Sequence, residues 1–249
     1  MTSTSAPVDL QRRLQSSLFR LGVRLRGLRR KVLDGAAVRN YLRTHSIAKL
    51  QLGTGPNPLP GWLNTDLAPD VDREHRAELV FLDAAKPFPI SDASFDYVFS
   101  EHQIEHISEA DARLMVKECF RVLKPGGRIR IATPDLSAIL RLYDDPLPNA
   151  ARHYVDWVMA RFRPNVSSGN RCCYVVNHIF ADHGHQFIYD YETLSALLID
   201  AGFTDIARHD PGESDDPVLR GTEAHGRAIG DEDVNRFETL VIEARRPPE

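Results

Sequence analysis

The sequence predicts an α/β fold in which a mostly parallel, open sheet is covered by helices on both faces. Short apolar segments of strand length recur from residue 48 onward, and helical segments lie between many of them. Gly53 and Gly55 follow the first apolar run, a pattern typical of a strand that ends in a turn where a ligand approaches the backbone. The 249 residues, 42% hydrophobic and 27% charged, suit one large globular domain.

The predicted elements follow one another along the chain from residue 48. The strands are predicted at 48–52, 62–66, 78–82, 95–100, 127–133, 204–210 and 236–244. The clearest helices are predicted at 108–123, 136–144 and 191–201. The first of these presents an apolar face, and Lys124-Pro125-Gly126-Gly127 is predicted to stop it.

Residues 1–45 are predicted to form a separate unit, a basic amphipathic helical arm, ahead of the main domain at 46–249. Apolar residues recur there at alternating spacings of four and three, so they line one helix face. These residues are Leu14, Leu18, Leu21, Leu25, Leu28 and Val32. The arm carries ten Lys/Arg and two Asp, a net charge of +8, which leaves −12 for the rest of the chain. We expect the arm to pack on this acidic body or on a second subunit of a homodimer, with an anionic membrane as the less favoured alternative. A further short helix is predicted around 35–45.

Composition also gives expectations about the cellular location and the binding partners of the protein. No apolar run approaches the roughly 20 residues of a membrane span, and no secretory signal opens the chain, so we expect a cytoplasmic protein. The cysteines Cys119, Cys172 and Cys173 form neither a disulfide framework nor a zinc cluster. The acidic body argues against a nucleic-acid partner.

Five motifs in order resemble the class I S-adenosylmethionine-dependent methyltransferases, and in particular a small bacterial group. The motifs are Leu50-Gln51-Leu52-Gly53-Thr54-Gly55, Gly61-Trp62-Leu63-Asn64-Thr65-Asp66, Asp83, Phe95-Asp96-Tyr97-Val98-Phe99-Ser100-Glu101-His102, and Leu123-Lys124-Pro125-Gly126-Gly127. The resemblance covers residues 46–136 well and 186–209 more loosely. It implies a Rossmann-like, seven-stranded methyltransferase fold whose last two strands form an antiparallel hairpin, with S-adenosylmethionine as methyl donor.

The resemblance implies a cofactor site at the carboxyl ends of the first strands, where open α/β sheets bind ligands. Gly53 and Gly55 would lie beneath the methionine portion, Asp66 would accept from the ribose hydroxyls, and Asp83 from the adenine amino group. The predicted cofactor-binding set is Gly53, Thr54, Gly55, Asn64, Asp66, Asp83, Ala84 and Ser100. The chain departs from the common pattern between Gly55 and Trp62, because the connection is too short and too rich in proline for the usual helix. Trp62 itself is interpreted as a packing residue.

The segment directly after the fourth strand supplies the candidate catalytic residues Glu101, His102, Glu105 and His106. Methyl transfer to a hydroxyl needs alignment of the acceptor and removal of a proton. His102 is the predicted base because an imidazole titrates near neutrality, and Glu101 and Glu105 are predicted to orient it. His106 is open to a catalytic or a structural interpretation.

The acceptor is predicted to bind at an insertion, residues 137–190, that follows the fifth strand. Aromatic rings mixed with imidazoles and amides suit a sugar, which has apolar C–H faces and many hydroxyls. The predicted acceptor-binding set is Asp135, Tyr143, Tyr154, Trp157, His178, His183, His185, Gln186 and Tyr189. A lid or dimer helix with a packed aromatic core is the alternative for the insertion, and Asp135 is equally able to cap a helix.

The expected reaction is therefore O-methylation of a saccharide hydroxyl, and the resembling group is associated with polysaccharide tailoring. Small-molecule or natural-product methylation is the alternative within enzymes, and a non-catalytic scaffold is the alternative outside them. The chain lacks the Asn/Asp-Pro-Pro-aromatic run of amino-purine methyltransferases after strand four.

Two further expectations concern metals and the C-terminal connection. We predict no metal among the site residues, although the spacing of His178, His183 and His185 resembles metal ligands. A Mg²⁺ requirement would more naturally involve Glu101, Glu105 or Asp135. Residues 210–233, rich in Asp, Glu and Gly, are predicted to form a mobile, solvated connection.

Overall fold

The computed structural model describes residues 35–67 and 79–249. The predicted arm, apart from its last residues, lies outside the described residues, as does its alternative of membrane contact. Residues 35–44 are helical (α1), which confirms the short helix predicted before the first strand. Tyr41 of α1 is buried, and its hydroxyl donates to the carbonyl of Lys49, where the first strand begins.

A seven-stranded sheet is the centre of the molecule. Its strands are β1 (Lys49–Leu52), β2 (Leu63–Asp66), β3 (Leu79–Phe81), β4 (Phe95–Glu101), β5 (Leu123–Pro134), β6 (Thr204–His209) and β7 (Thr239–Arg245). Their order across the sheet is β3-β2-β1-β4-β5-β7-β6. Strands β1 to β5 pair in parallel, whereas β7 runs antiparallel to both β5 and β6. The seven predicted strands and the antiparallel final hairpin are confirmed.

The helices that accompany the sheet are mostly short. They are α2 (Glu109–Val122), α3 (Leu136–Leu140), α4 (Asn149–Phe162), α5 (Arg171–Ala181), α6 (Tyr191–Ala201), α7 (His225–Ile229) and α8 (Glu232–Glu238). Single 3-10 turns cover Ile104–His106 and Arg141–Tyr143. The predicted helices at 108–123 and 191–201 match α2 and α6. The helix predicted at 136–144 is α3 continued by the second 3-10 turn.

Helix α2 shows how local sequence sets its own boundaries. The Ser108 side chain accepts from the Asp111 backbone amide at 3.1 Å, which satisfies one of the free donors at the helix start. The helix buries Met115, Val116 and Cys119 on its apolar face. Strand β5 begins at Leu123, earlier than predicted, because that residue already pairs with Phe95 of β4.

The insertion between β5 and α6 is a helical unit with its own apolar core. Ile139, Tyr154 and Val175 are fully buried in this core, which brings together α3, α4 and α5. Val234 of α8 joins the same cluster. The packed core of the alternative interpretation is therefore present in part of the insertion. The ring of Tyr154 is fully buried and packs within this core.

Residues 210–233 are not the solvated connection that their composition predicts. Ser214, Leu219, Thr222 and Glu223 are buried, and Leu219 packs against Trp62 and Phe99. The reason is a buried charge: the Arg130 guanidinium of β5 is fully buried and pairs with Glu223 and Glu243. A buried guanidinium requires charged or hydrogen-bonding partners, and this segment supplies them.

Trp62 packs against Phe99 with ring centroids 6.1 Å apart, which agrees with its interpretation as a packing residue. Across 35–67 and 79–249, each helix falls short of the length and apolar character needed to cross a bilayer.

Candidate active site

The first half of the site lies at the carboxyl ends of β1 and β4, and we call it the glycine edge. It consists of Gly53, Thr54, Gly55, Asp66, Ser100 and Gln103. The turn after β1 is tied to β2, since Thr54 N donates to the Thr65 carbonyl and Gly55 N donates to Asp66 Oδ2 at 2.9 Å. The structure thus brings the two glycines and Asp66 together, as the sequence predicts.

Gly53 and Gly55 differ in the space around their α-carbons. Both have left-handed backbone angles, with φ of +63° at Gly53 and +50° at Gly55. A Cβ at Gly53 would overlap the side chain of Gln103, whereas a Cβ at Gly55 would have open space around it. Gly53 therefore permits close approach of Gln103, and the backbone at Gly55 remains open to a ligand.

Three buried polar atoms at the glycine edge have no hydrogen-bond partner among the described residues. They are Thr54 Oγ1, Ser100 Oγ and Gln103 Oε1. Ser100 lies beside Leu52 in the β1–β4 register, and Gln103 covers Gly53, so the three atoms surround one strand end. Buried polar groups are normally paired, so this cluster indicates a polar ligand.

Two other predicted cofactor residues have structural roles in the chain. Asn64 is buried and its amide is used locally: Oδ1 accepts from Leu59 N, and Nδ2 donates to the carbonyls of Leu59 and Trp62. These bonds tie the amide to the chain, and assignment of Asn64 to the cofactor stays a prediction. Asp83 follows β3, as predicted, and its Oδ1 accepts from Ala85 N in a turn, while Ala84 is buried. Assignment of Asp83 and Ala84 to the cofactor stays a prediction.

The catalytic candidate His102 forms a dyad with Glu105. The His102 Nδ1 lies 3.1 Å from Glu105 Oε1, and Thr133 Oγ1 donates to Glu105 Oε2 at 3.0 Å. Burial disfavours the imidazolium, but the hydrogen bond and charge of Glu105 outweigh it and raise the pKa of His102. Burial likewise favours neutral Glu105, yet the bond from His102 lowers the pKa of that carboxyl.

The backbone holds His102 in an uncommon conformation. Its φ is +45°, in the left-handed region that non-glycine residues rarely adopt, and its amide donates to the Ala132 carbonyl of β5 at 2.9 Å. The Nε2 atom is buried and has no partner within the described part of the chain. Strained residues with an unpaired buried atom cluster at functional sites.

Glu101 does not orient His102, which corrects that prediction. Its carboxylate accepts from the backbone amides of Ala224 and His225, at 2.9 to 3.0 Å. It thereby anchors the start of α7 to the end of β4. The ring of His225 then lies beside that of His102, with centroids 3.9 Å apart.

His225 and Glu238 form a second dyad that the sequence analysis misses. The His225 Nε2 lies 2.9 Å from Glu238 Oε1. Burial opposes the charge of Glu238, but the hydrogen bond from His225 lowers the pKa of that carboxyl. No motif marks either residue, since His225 belongs to the segment predicted to be solvated and Glu238 falls within the strand predicted at 236–244.

The second half of the site is a cavity of about 250 Å³, which we call the histidine pocket. Six imidazoles, two carboxylates and several aromatic and aliphatic side chains line it. The lining residues are His102, Glu105, His106, Pro134, Tyr154, Trp157, Val158, Phe162, His178, Ile179, His183, His185, His225, Ile229 and Glu238. The structure thus brings predicted catalytic and acceptor residues into one cavity.

The imidazoles of the insertion are held by defined partners. His178 is buried, with Nδ1 2.9 Å from Asp182 and Nε2 3.0 Å from His183 Nε2. His185 Nδ1 donates to the Ile179 carbonyl at 2.6 Å. Burial, with further contributions from neighbouring charges, lowers the pKa values of His183 and His185, so both rings favour the neutral form.

Four predicted acceptor residues lie outside this lining. Asp135 caps α3 through Ser137 N and pairs with Arg208, so the capping alternative is correct. Tyr143 is 58% exposed, whereas Tyr189 is buried in the main core. Gln186 donates to the His106 carbonyl and positions the loop that carries His185. Partners distant in sequence thus hold the side chains of Asp135 and Gln186.

A family match and a solved structure show what this chain is similar to. A family model described as "Methyltransferase domain" matches residues 62–131. A solved S-adenosylmethionine-dependent methyltransferase of Mesorhizobium loti is similar in fold, with a TM-score of 0.50 and 18% identity over 86% of this chain and 100% of that chain. The chain therefore has the Rossmann-like α/β fold of S-adenosylmethionine-dependent methyltransferases, and its residues 62–131 are similar to a methyltransferase domain.

Curated relatives by sequence carry related names. A demethylmenaquinone methyltransferase of Clavibacter sepedonicus is 31% identical over 157 residues, 62% of this chain and 58% of that protein. A probable S-adenosylmethionine-dependent methyltransferase of Mycobacterium tuberculosis is 29% identical over 178 residues, 71% of this chain and 50% of that protein. The chain thus spans between half and three fifths of the length of these relatives.

The glycine edge fits S-adenosylmethionine as the methyl donor of such a domain. The open backbone at Gly55 and the three unpaired polar atoms offer donors and acceptors for a ligand that carries an amino acid group and a ribose. The site lies at the carboxyl ends of parallel strands, where this class of sheet binds nucleotides.

Proposed function

We propose that the protein transfers a methyl group from S-adenosylmethionine to a hydroxyl oxygen, with His102 as general base. The observation that carries the proposal is the His102–Glu105 dyad: His102 lines the histidine pocket, and its buried Nε2 has no hydrogen-bond partner among the described residues. A base with one nitrogen fixed by a carboxylate and the other available matches what removal of a hydroxyl proton requires.

His102, Glu105 and Thr133 would have separate roles in the reaction. When bound, the cofactor supplies a methyl group on a positively charged sulfur. His102 Nε2 would accept the proton of the acceptor hydroxyl and so make that oxygen a better nucleophile for the methyl group. Glu105 stabilises the resulting imidazolium through Nδ1. Thr133 fixes the Glu105 carboxylate, so the dyad is oriented before the acceptor arrives.

A saccharide is the acceptor that we propose for this pocket. Trp157 and Phe162 offer aromatic faces, and the imidazoles offer hydrogen bonds for hydroxyls. Apolar faces combined with many hydrogen-bonding groups are the mark of a sugar ring. The insertion 137–190 would then hold the sugar, and the pathway served would be the tailoring of an oligosaccharide or polysaccharide precursor.

The size of the pocket favours a second acceptor class, a small metabolite or natural product. The cavity of about 250 Å³ lies just below the ~300–1,000 Å³ that is usual for drug-sized ligands. It would hold a single ring better than several joined residues of a glycan. A simple glycoside and a non-sugar alcohol of similar size therefore distinguish the two classes.

Cofactor binding is the first test, and it also addresses a non-catalytic scaffold. S-adenosylhomocysteine at about 100 times its Kd should stabilise the protein by about 2.7 kcal/mol, a rise in melting temperature of roughly 5–10 °C. Adenosine at the same concentration serves as the control. A melting temperature that neither S-adenosylmethionine nor S-adenosylhomocysteine moves would contradict the proposal.

The acceptor test uses methyl-labelled cofactor with matched pairs of compounds. Each free glycoside is compared with the same glycoside whose hydroxyls are already methylated, and with cyclic alcohols of similar size. Label transferred to free glycosides alone supports the saccharide. Label found only on the alcohols favours the small-metabolite alternative, and label on a carbon or nitrogen atom would overturn O-methylation.

A further inference from the structure

We propose that the histidine pocket contains a binding site for a divalent transition-metal ion, formed by Glu105, His106 and His185. One ligand atom of each residue lies within 4.8 Å of those of the other two. Two imidazole nitrogens and one carboxylate oxygen are donors that suit Zn²⁺, Fe²⁺, Co²⁺ or Ni²⁺, whereas Mg²⁺ prefers oxygen ligands. The site differs from the Mg²⁺ set predicted from sequence, because Glu101 and Asp135 point to other partners.

The ring of His185 is held in the tautomer that a metal ligand needs. A carbonyl oxygen only accepts, so the 2.6 Å contact with Ile179 requires that His185 Nδ1 carries the proton. In the neutral ring, Nε2 then keeps its lone pair. Metal-binding histidines are characteristically fixed by a hydrogen bond from the other ring nitrogen to a carbonyl or carboxylate.

The carboxylate of Glu105 is equally well fixed. It is fully buried, and each of its oxygens accepts one hydrogen bond, from His102 Nδ1 and from Thr133 Oγ1. An ionised carboxylate offers about four lone-pair sites, so two contacts leave capacity for a cation. A bound cation would also offset the cost of keeping this charge out of water.

The backbone clamps the two halves of the site together although they are far apart in sequence. Gln186 N donates to the Glu105 carbonyl at 2.7 Å, and Phe187 N donates to the same atom at 3.3 Å. The Gln186 side chain donates to the His106 carbonyl at 2.6 Å. These three bonds hold the loop of His185 against the turn of Glu105 and His106, and ligands held this rigidly are a property of preformed metal sites.

Three protein ligands leave coordination positions open, as in catalytic metal sites. An acceptor oxygen in one such position would lie near His102 and would lose its proton more readily. This role in acceptor binding rests on the proposed function, whereas the metal site itself does not. His178 and His183 lie in the same pocket and form their own pair, so they are neighbours rather than members of the set.

The test is a metal titration of the untagged full chain after chelator treatment and dialysis. Calorimetry with Zn²⁺ and visible absorption with Co²⁺ should each show one ion per chain. His185→Ala and His106→Ala should each weaken Zn²⁺ binding by roughly 100-fold, since loss of even outer contacts costs up to that factor. His153→Ala is the control, because that histidine lies on the surface of α4 paired with Asp231. Absence of saturable Zn²⁺ binding to the wild type would overturn the site. Zn²⁺ affinities in His185→Ala and His106→Ala that equal the wild-type affinity would overturn it as well.

Two additional measurements keep the result interpretable. His185→Gln retains polarity, and circular dichroism shows whether each variant folds; a folded variant that still binds Zn²⁺ as tightly as wild type contradicts the site. S-adenosylhomocysteine binding in the presence of chelator is measured separately. Zn²⁺ binding without cofactor binding would support the site while rejecting the proposed function, and methylation at full rate in chelator would reject the metal's role with the acceptor.

Discussion

The glycine edge and the histidine pocket are adjacent, yet they are assembled in different ways. The glycine edge draws its backbone from the turn after β1 and its acid from β2, and it adds only Ser100 and Gln103 from the end of β4. The histidine pocket combines β4, the insertion and the 210–233 segment, so its residues extend from His102 to Glu238. Local motifs therefore build most of the glycine edge, whereas long-range packing builds the histidine pocket.

The largest expected effect is a loss of turnover on substitution of His102, which would distinguish the function of the histidine pocket from that of the glycine edge. His102→Ala should lower kcat by roughly 10²- to 10⁴-fold, the usual contribution of a general base, and leave S-adenosylhomocysteine affinity unchanged. Turnover with a labelled methyl donor and calorimetric titration measure the two quantities. His153→Ala should alter neither. If His102→Ala weakened cofactor binding as much as turnover, the two regions would be one functional unit and His102 a binding residue.

The next effect concerns the segment that sequence predicts to be solvated. Glu223→Ala leaves the buried Arg130 guanidinium short of one partner and should cost about 3–5 kcal/mol in the free energy of unfolding. Asp215→Ala removes an exposed charge of the same segment and should stay within about 0.5 kcal/mol. Urea unfolding measures both. Equally small losses would mean that residues 210–233 are not part of the packed body that supports the pocket.

The smallest expected effect is the difference in unfolding free energy between alanine substitutions at the two glycines of the glycine edge. Gly55→Ala should cost only the left-handed backbone strain, about 1–2 kcal/mol. Gly53→Ala carries the same strain and also displaces Gln103, so we expect a further cost of about 1–3 kcal/mol. Thermal unfolding without cofactor measures the difference, and Gln103→Ala in the Gly53→Ala background should recover part of it. Equal losses would show that Gln103 does not depend on Gly53.

Several side chains show which contacts of the site could be predicted from the sequence. Glu105 and His102 lie three residues apart on one turn, so their pairing follows from local spacing. Glu101 and Asp135 also end strands at the predicted edge. Their partners, the amides of residues 224–225 and Arg208, come from parts of the chain that no local pattern relates to them. His225 carries no signal at all, because its place beside His102 arises only when β4 and α7 meet.

The sequence by itself determined the seven strands, the clearest helices and the turn at Gly53 and Gly55, because apolar periodicity and glycine angles are short-range properties. Only the folded chain shows that residues 210–233 are packed, that the Asn64 amide and the Asp135 carboxylate bond to other parts of the chain, and that six histidines line one cavity. The physical reason is that a buried charge or polar group accepts whichever partner the fold brings to it, and that choice is made across the whole chain.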